Sequence, residues 1–275
     1  MLLAAGFAYV AYMYLSLPDV RELRTSNPDS TAFMRLRARE AQKEGRPASK
    51  DQRWVPYARI SQHLKRAVIV TEDSAYWQHD GVDYDQLRES METNWERGEF
   101  ARGASTITQQ LAKNLYLNPV KNPLRKVKEL LITRRLEVEL SKQRILEIYL
   151  NVIEWGDGIW GAEAAARRYF HKSAAELSPA ESALLAGAIA NPHLMDPGHP
   201  SARLRRRQQM IMRRMGAVTP PPVVVEPLAA PIPGVPDLTD LPGVPDVGAP
   251  TGLPGAPVDP PAIPGRGGRG GPGGD

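Results

Sequence analysis

Apolar side chains recur at three- and four-residue steps along most of the chain after residue 60, and this period predicts helices. The first of these helices is expected to start near Ser61, and its buried face consists of Leu64, Ala67, Val68 and Thr71. The apolar run then stops at two adjacent carboxylates, Glu72 and Asp73. Glu72 is therefore expected at the point where this helix leaves the core.

Two longer polar segments also carry a helical period. Residues 85–95 place Leu87, Met91 and Trp95 at four-residue steps, so we expect these three side chains in the core. Residues 122–140 contain a second stripe that is expected to be buried, formed by Leu124, Val127, Leu131 and Val138. Arg125 and Glu129 lie four residues apart and project together from a different face of the same helix.

Helix-start signals continue toward the C-terminus. Ser141 is expected to begin one helix, and Ser178, Pro179 and Glu181 form a capping box with proline in the first helical position. The buried side of this last helix is expected to contain Leu184, Leu185 and Ile189. Strand signals are weak throughout, so the predicted fold class is mostly α.

The two ends of the chain differ from this helical region. Residues 2–17 are apolar apart from Gly6 and Ser16, which is short for a membrane-spanning helix of about 20 residues. We interpret residues 1–17 as a single-pass membrane anchor, with a signal peptide or a buried or amphipathic N-terminal helix as alternatives. Residues 18–52 are expected to form a juxtamembrane linker in which residues 31–44 can be helical, and residues 53–216 the folded domain. Residues 217–275 are rich in proline and glycine and are expected to be disordered.

Glu72 is the first candidate for chemistry. A carboxylate at the edge of a core is partly shielded from water, which raises its pKa toward the range useful for proton transfer. The like charge of Asp73 acts in the same direction. The alternative is a pair of solvated surface carboxylates at a helix end.

A second candidate stretch, residues 102–114, is rich in small hydroxyl and amide side chains. Such groups can hold sugar hydroxyls or phosphate oxygens, and Lys113 can reach an anion as a point charge. Thr108 is a possible cap for a helix that begins here, and the N-terminus of a helix favours anions. The alternative is a polar loop followed by an ordinary capped helix.

Aromatic and basic clusters leave two readings open. Trp155 and Trp160 lie in a glycine-rich turn, where they can stack against sugar rings or fill a gap over the core. Residues 203–214 form a basic helix that also carries apolar side chains, so a solvated face or a membrane surface is favoured over nucleic acid as its surroundings. Cysteine is absent, which excludes disulfides and thiolate metal sites.

Four ordered motifs resemble those of the glycosyltransferase family that polymerises peptidoglycan, in which the domain occurs alone or fused to penicillin-binding transpeptidases. They are E-D-x-x-Y-x-x-H-x-G at residues 72–81, G-A-S-T-I-T-Q-Q-L-A-K-N at 103–114, R-K-V-K-E at 125–129 and K-Q-R-I-L-E-I-Y-L-N at 142–151. Tyr76 stands where phenylalanine is more usual in the family. The resemblance covers roughly residues 53–216, and several motifs in order are far more specific than one.

The resemblance implies a lysozyme-like helical fold and a reaction that extends glycan chains from a lipid-linked disaccharide, lipid II, with release of polyprenyl pyrophosphate. It assigns Glu72 as the general base and Glu129 as a second acidic residue near the leaving group. Lys113, Arg125 and Lys126 would neutralise the pyrophosphate. The residues that would position substrate are Asp73, Ser105, Thr106, Gln109, Gln110 and Asn114.

The family resemblance also implies surroundings for the protein. Its partners would be lipid II, the nascent glycan strand, membrane lipid and other cell-wall synthesis or division proteins, and not nucleic acid. Its location would be the bacterial inner membrane, with the catalytic domain on the periplasmic face. No cofactor is implied; a divalent cation could assist the pyrophosphate, although no histidine and carboxylate spacing specifies a metal site.

Two other classes of protein remain open. A lysozyme-like hydrolase also needs carboxylates in a cleft, but hydrolysis of a neutral glycan does not require Lys113 and Arg125. A membrane-anchored cell-wall scaffold without activity would account for the long tail but not for both glutamates beside the polar motif. Neither S-x-x-K nor K-T-G occurs in the sequence, so we predict no transpeptidase domain.

Overall fold

The computed structural model describes residues 12–13, 15–97, 105–118 and 123–217. Within these ranges the chain is mostly helical, as predicted. The helices are α1 (Ala32–Lys43), α2 (Gln62–Glu72), α3 (Tyr84–Arg97), α4 (Ile107–Tyr116), α5 (Pro123–Glu139), α6 (Lys142–Val152), α7 (Ala162–Phe170), α8 (Pro179–Ala188) and α9 (Ala202–Ala217). Short 3₁₀ helices span Arg21–Arg24, Tyr57–Arg59 and Ala174–Glu176.

A small sheet lies beside the helices. It contains β1 (Asp51–Gln52), β2 (Glu154–Gly156) and β3 (Ile159–Trp160) in the order β1-β3-β2. β1 runs parallel to β3 with Asp51 opposite Ile159, and β2 is antiparallel to β3 with Glu154 opposite Trp160. Gly161 follows β3 at a φ of 82°, and a Cβ there would lie 2.6 Å from the carbonyl oxygen of Asn151, so only glycine fits.

Two groups of helices share the core. α2 packs against α8 and α9, while α4 packs against α5 and α6. Leu64 and Ala67 of α2, Leu111 of α4 and Ile145 of α6 are fully buried in one apolar cluster. The buried face that the period predicts for α2 is therefore confirmed, with Thr71 half-buried at its end.

The helix starts were predictable from capping residues. The Oγ of Ser61 accepts a hydrogen bond from the N–H of His63, and the Oγ of Ser141 accepts one from the N–H of Arg144. The predicted capping box of α8 is present, with Pro179 in the first helical position. Leu184 and Leu185 are buried as expected, whereas Ile189 caps the helix and is half-buried.

The expected core face of α3 is wrong. Leu87 is 39% exposed and Met91 is 65% exposed, whereas Ser90 on another face is buried. The side chain of Trp95 lies outside the described side chains. The period of apolar residues correctly predicts a helix, but it does not determine which face meets the core in a helix that is mostly polar.

The expected stripe of α5 is also wrong in most positions. Leu124 is 46%, Val127 is 43% and Val138 is 70% exposed, and Leu131 is half-buried. The buried face is instead formed by Glu129, Ile132, Thr133 and Leu136, and Leu140 is buried just after the helix ends. Since α5 carries apolar residues on more than one face, the contact with α4 selects the face, and the sequence does not show that contact.

Part of the segment that we expected to be a linker packs into the helical core. Val20 and Leu23 are buried, as is Met34 of α1, and all three belong to the main apolar cluster. α1 ends at Lys43, before Gly45, as expected. No helix of the described residues is long and apolar enough to span a bilayer. Most of the expected anchor, and the proline- and glycine-rich tail after residue 217, lie outside the described residues.

The glycine-rich turn with two tryptophans is the hairpin of β2 and β3. The side chains of Trp155 and Trp160 are 0% and 1% exposed, respectively. Of the two readings that the sequence left open, the structure supports packing over the core, because neither ring is available to stack against a sugar.

Candidate active site

A cleft of about 870 Å³ lies where α2 and α4 meet α3 and α9. Its lining includes Glu72 and Asp73 at the end of α2, Ser90 of α3, Ser105 just before α4, Gln110 and Lys113 of α4, and Arg207 and Arg214 of α9. The structure thus gathers five of the residues predicted for the site: Glu72, Asp73, Ser105, Gln110 and Lys113. It adds two arginines that the sequence did not assign to it.

Glu72 is the last residue of α2, where the apolar face of the helix ends at the cleft. Its Oε2 accepts a hydrogen bond of 2.9 Å from Nε2 of Gln110. Burial raises the pKa of Glu72 above its ordinary value, the Gln110 hydrogen bond and the charges of Arg207 and Lys113 oppose this rise, and the charge of Asp73 adds to it. Both effects inferred from the sequence, shielding and the charge of Asp73, therefore act in the predicted direction.

Asp73 serves inside the protein, although it borders the cleft. Its carboxylate accepts hydrogen bonds from Nε2 of His79 at 2.8 Å and from the N–H of Ile107 at 2.9 Å, and the residue is 1% exposed. Nδ1 of His79 accepts from the N–H of Gly81, so Nε2 carries the ring proton. Asp73 therefore joins the end of α2 to the start of α4, and its role in positioning substrate stays a prediction.

Thr106 and Gln109 also face inward. They form a capping box that starts α4, in which the Oγ1 of Thr106 accepts from the N–H of Gln109, so Thr106 is the cap and not Thr108. The hydroxyl of Thr106 donates to the carbonyl of Gly81 at 2.7 Å. Gly81 has a φ of 86°, and a Cβ there would meet Thr133 at 2.7 Å, so the turn requires glycine. The hydroxyl and amide groups predicted to bind substrate at these two positions instead hold the cleft wall together.

The amide of Asn114 is similarly occupied. It is 8% exposed, and its Nδ2 donates to the backbone carbonyl of Gln110 at 2.8 Å. Asn114 is not among the residues that line the cleft. Its hydrogen bond supports the helical turn that carries Gln110.

Lys113 is the cation of α4 that borders the cleft. Burial lowers its pKa, and the charges of Arg125 and Lys126 act in the same direction, while the charges of Glu129 and Glu72 oppose it. Lys113 is therefore within the electrostatic range of both glutamates. An anion bound beside it would oppose this lowering of the pKa and favour the charged form of the side chain.

Glu129 is buried at 3% exposure and directly ion-paired. Its carboxylate contacts the guanidinium of Arg125 at 2.8 Å and the amine of Lys126. None of these three residues lines the cleft. Of the four residues predicted to meet in one cleft, Glu72 and Lys113 line it, whereas Glu129 and Arg125 are not among its lining residues and pair with each other along α5.

The arginines of α9 are the functional candidates that the sequence reading missed. Residues 203–214 were interpreted as a solvated or membrane-facing basic helix, yet Arg207 and Arg214 line the cleft, and the charge of Arg207 acts on Glu72. Leu204 and Ile211 are fully buried and anchor the helix. The signal was available: residues 204, 207, 211 and 214 follow the three- and four-residue steps of one helix face.

Two groups of the described residues have carboxylate and histidine atoms close enough to hold a metal ion. They are Asp73, His79 and Asp83, and Glu154, Asp157 and His193. In the first group Asp73 and His79 bond to each other and Asp83 accepts from the N–H of Gln86. In the second, Arg37 pairs with Glu154 and Arg46 with Asp157. Since these groups already have partners in the chain, we assign a metal to neither.

A sequence profile of the transglycosylase family matches residues 39–216. The chain belongs to the transglycosylase family. The transglycosylase region includes α2 to α8, the cleft with both arginines and all four motifs. The lysozyme-like helical character expected from the motifs agrees with the mostly helical structure of the described residues.

Curated relatives of this transglycosylase cover most of the same region. A biosynthetic peptidoglycan transglycosylase of Dechloromonas aromatica is 50% identical over 181 residues, which is 66% of this chain and 78% of the relative. Proteins of the same name from Azoarcus sp. and Aromatoleum aromaticum are 49% and 53% identical over 191 and 166 residues. Those alignments cover 70% and 60% of this chain, and 83% and 72% of the relatives.

Proposed function

We propose that this protein is a glycosyltransferase that polymerises peptidoglycan glycan chains from lipid II. The family and the relatives named biosynthetic peptidoglycan transglycosylase support this activity. The single observation that carries it is the presence of a shielded carboxylate, Glu72, in the same cleft as Lys113, Arg207 and Arg214. Such a cleft can accept a proton at one point and neutralise a pyrophosphate at another.

In this reaction the 4-hydroxyl oxygen of the incoming lipid II attacks the anomeric carbon of the growing chain. The bond from that carbon to the pyrophosphate oxygen breaks, with inversion, and polyprenyl pyrophosphate leaves. Glu72 accepts the hydroxyl proton as general base, and burial raises its pKa, which makes the carboxylate a stronger base. The base must be ionised before the step, so activity is lost as the pH falls through the raised pKa of Glu72.

The leaving group gains negative charge as the bond breaks. Lys113, Arg207 and Arg214 are positioned to meet that charge, since all three border the cleft. Arg125 and Lys126, which the family resemblance assigns to the pyrophosphate, are paired with Glu129 instead. In this proposal Glu129 holds those two cations near Lys113. It contributes to the electrostatic potential at the site without touching the reacting atoms.

A glycan hydrolase is the second class that a carboxylate cleft allows. Three cations that line the same cleft as Glu72 favour a substrate with a phosphate leaving group over a neutral glycan. A scaffold without activity requires neither the carboxylate nor the cations. The cleft therefore favours glycosyl transfer over both alternatives.

The test is an assay with purified full-length protein, detergent-solubilised lipid II and gel separation of the glycan products. Polymer formation, with no release of free disaccharide, is expected. The hydrolase alternative predicts cleavage of preformed glycan strands instead, and the scaffold alternative predicts neither reaction. Glu72→Gln serves as the control that keeps the shape of the side chain but removes the base.

We also propose that the protein resides in the bacterial inner membrane with its catalytic domain on the periplasmic side. The apolar run of residues 2–17 supports this location, as does a substrate that carries a polyprenyl chain. The test compares membrane fractionation of the full chain with that of a chain lacking residues 2–16, followed by protease digestion of spheroplasts. Equal recovery of both chains from the soluble fraction would remove the proposed anchor.

A further inference from the structure

The amide that holds Glu72 is itself held from the opposite side. Nε2 of Gln110 donates to Oε2 of Glu72 at 2.9 Å, and the hydroxyl of Tyr149 donates to Oε1 of Gln110 at 2.8 Å. Tyr149 belongs to α6, is fully buried and does not line the cleft. We propose that Tyr149 is a positioning residue for Glu72, which it orients through the amide of Gln110.

The chemistry of the amide makes this arrangement directional. A glutamine amide has a donor end and an acceptor end, and an ionised carboxylate can only accept. If the amide were reversed, its carbonyl oxygen would face the Glu72 carboxylate, and two acceptors would repel each other. The Tyr149 hydroxyl presents a proton, since burial raises the pKa of Tyr149 well above its usual value and the charges of Glu72 and Asp73 act in the same direction. The ionised Glu72 carboxylate selects the orientation in which Nε2 faces it, and the hydroxyl proton of Tyr149 then holds Oε1 of Gln110 on the opposite side.

The three groups belong to three packed helices. Glu72 ends α2, Gln110 lies in α4, and Tyr149 lies in α6, which packs against α4. Side chains held by packed helices keep their geometry more precisely than those on loops. The Tyr149 hydroxyl, fixed on α6, therefore holds the Gln110 amide in place, and the amide holds the Glu72 carboxylate. Tyr149 thus acts on Glu72 through two hydrogen bonds and without direct contact.

The inference rests on the proposed function in one respect, which is that Glu72 is the general base. It goes beyond that function by placing a fully buried residue of a third helix in control of the base. A purely structural role for Tyr149 is the competing explanation, since removing any buried hydroxyl leaves its acceptor without a donor and lowers stability. The experiment must therefore include a readout that stability alone does not change.

The variant is Tyr149→Phe in the full chain, and the matched control is Tyr76→Phe. Tyr76 is equally buried, and its hydroxyl donates to the backbone carbonyl of Lys142 at 2.6 Å, with no link to Gln110. Both substitutions remove one buried hydroxyl and keep the ring. Similar decreases in melting temperature are expected, whereas only Tyr149→Phe is expected to lower kcat, by roughly ten- to a hundredfold, through misplacement of the base.

The pH profile gives the second readout. The hydrogen bond from Gln110 lowers the pKa of Glu72, so its weakening in Tyr149→Phe raises that pKa. The acidic limb of the kcat profile is then expected to move to higher pH, while Tyr76→Phe leaves it in place. The other charged groups around Glu72 are unchanged in both variants: Asp73, Glu89, Lys113, Arg207 and Arg214.

A double-mutant cycle tests whether Tyr149 acts through Gln110. In a Gln110→Ala background the relay is already broken, so adding Tyr149→Phe is expected to change neither kcat nor the acidic limb further. Equal effects of Tyr149→Phe in both backgrounds would overturn the proposal. An unshifted acidic limb in Tyr149→Phe, with the stability loss of Tyr76→Phe, would overturn it as well.

The proposed function fails in a different way. If Glu72→Gln polymerises lipid II normally, Glu72 is not the base, and the assignment of the acidic limb to it is wrong. If Glu72→Gln is inactive while Tyr149→Phe behaves like Tyr76→Phe, the base assignment stands and only the relay fails. All profiles are recorded below the melting temperature of each variant, so that unfolding does not contribute to kcat.

Discussion

Glu72 and Glu129 are two shielded glutamates that their surroundings treat in opposite ways. Glu72 faces a cleft, takes one hydrogen bond from a neutral amide, and has its cations at a distance. Glu129 lies away from the cleft and contacts Arg125 and Lys126 directly. A carboxylate that is shielded but not directly paired has a raised pKa and can accept a proton, whereas a carboxylate fixed between two cations is suited to holding charge in place.

The largest effect is expected from Glu72→Gln. Glutamine keeps the shape of the side chain and removes the group that accepts the proton, so kcat should fall by about 10² to 10⁴-fold, the usual contribution of a positioned base. Binding of lipid II should persist, as measured by ligand-dependent stabilisation of the variant. Near-normal polymerisation by this variant would mean that another residue is the general base and that Glu72 and Glu129 do not differ in catalytic role.

Lys113→Ala tests the contribution of a cleft cation that is not directly paired with either glutamate. Lys113 borders the cleft and forms no direct ion pair with Glu72 or Glu129, so we expect kcat to fall by roughly 10², the typical loss for a group that stabilises developing charge. Because the charge of Lys113 lowers the pKa of Glu72, the acidic limb of the pH profile should also move to higher pH.

Arg125→Ala is the contrasting variant for Lys113→Ala. It removes a direct partner of Glu129 and should lower the melting temperature, whereas Lys113→Ala should leave it nearly unchanged. Differential scanning calorimetry of both variants beside the kcat measurement separates the two roles. If Lys113→Ala mainly lowers the melting temperature, Lys113 is structural and its leaving-group role is wrong.

The next effect concerns stability rather than turnover. Glu129→Gln leaves Arg125 and Lys126 without their shared carboxylate, and we expect the free energy of unfolding to fall by about 2 kcal/mol, less than for a fully buried pair because both cations are partly exposed. Glu72→Gln should not lower it, since burial already disfavours the ionised form of Glu72. Urea unfolding of the two variants at neutral pH measures the contrast; equal losses would contradict it.

Much of the fold was predictable where local signals agree with one another. Ser61 caps a helix whose apolar face is continuous, so the position of Glu72 at the edge of the core followed from the sequence. α3 and α5 lack such agreement, and their buried faces were wrong because packing against other helices, rather than the period, selects among several apolar positions.

The site was predictable in part for the same reason. Five of the predicted motif residues line one cleft, but motif membership does not separate a side chain that borders the cleft from one that builds its wall. Thr106, Gln109 and Asp73 belong to the motifs and face inward, since the cleft needs hydrogen bonds that join α2 to α4. Arg207 lies outside the four motifs and still lines the cleft, because α9 is far from α2 in the sequence but packs against it in the fold.

The smallest effect is expected from Lys65, a buried charge on the same helix as Glu72 that pairs with no carboxylate of the described residues. Lys65 is 1% exposed; its amine donates to the carbonyl of Tyr57 and lies 3.9 Å from the centre of the Tyr57 ring. Burial lowers the pKa of Lys65 from 10.5 to about 8. Between these two values the unfolded chain binds more protons than the folded one, so this group makes stability rise with pH from about 8 to 10.5 and makes its full unfavourable contribution below pH 8.

Lys65→Met should therefore raise the free energy of unfolding at pH 7 by about 1 kcal/mol, because methionine removes the buried charge but also loses the hydrogen bond and the ring contact. The variant should also flatten the rise of stability above pH 8, as measured by urea unfolding at a series of pH values. An unchanged slope in Lys65→Met would mean that Lys65 stays protonated in the folded protein, and that the Tyr57 carbonyl and ring compensate its burial as fully as Arg125 and Lys126 compensate that of Glu129.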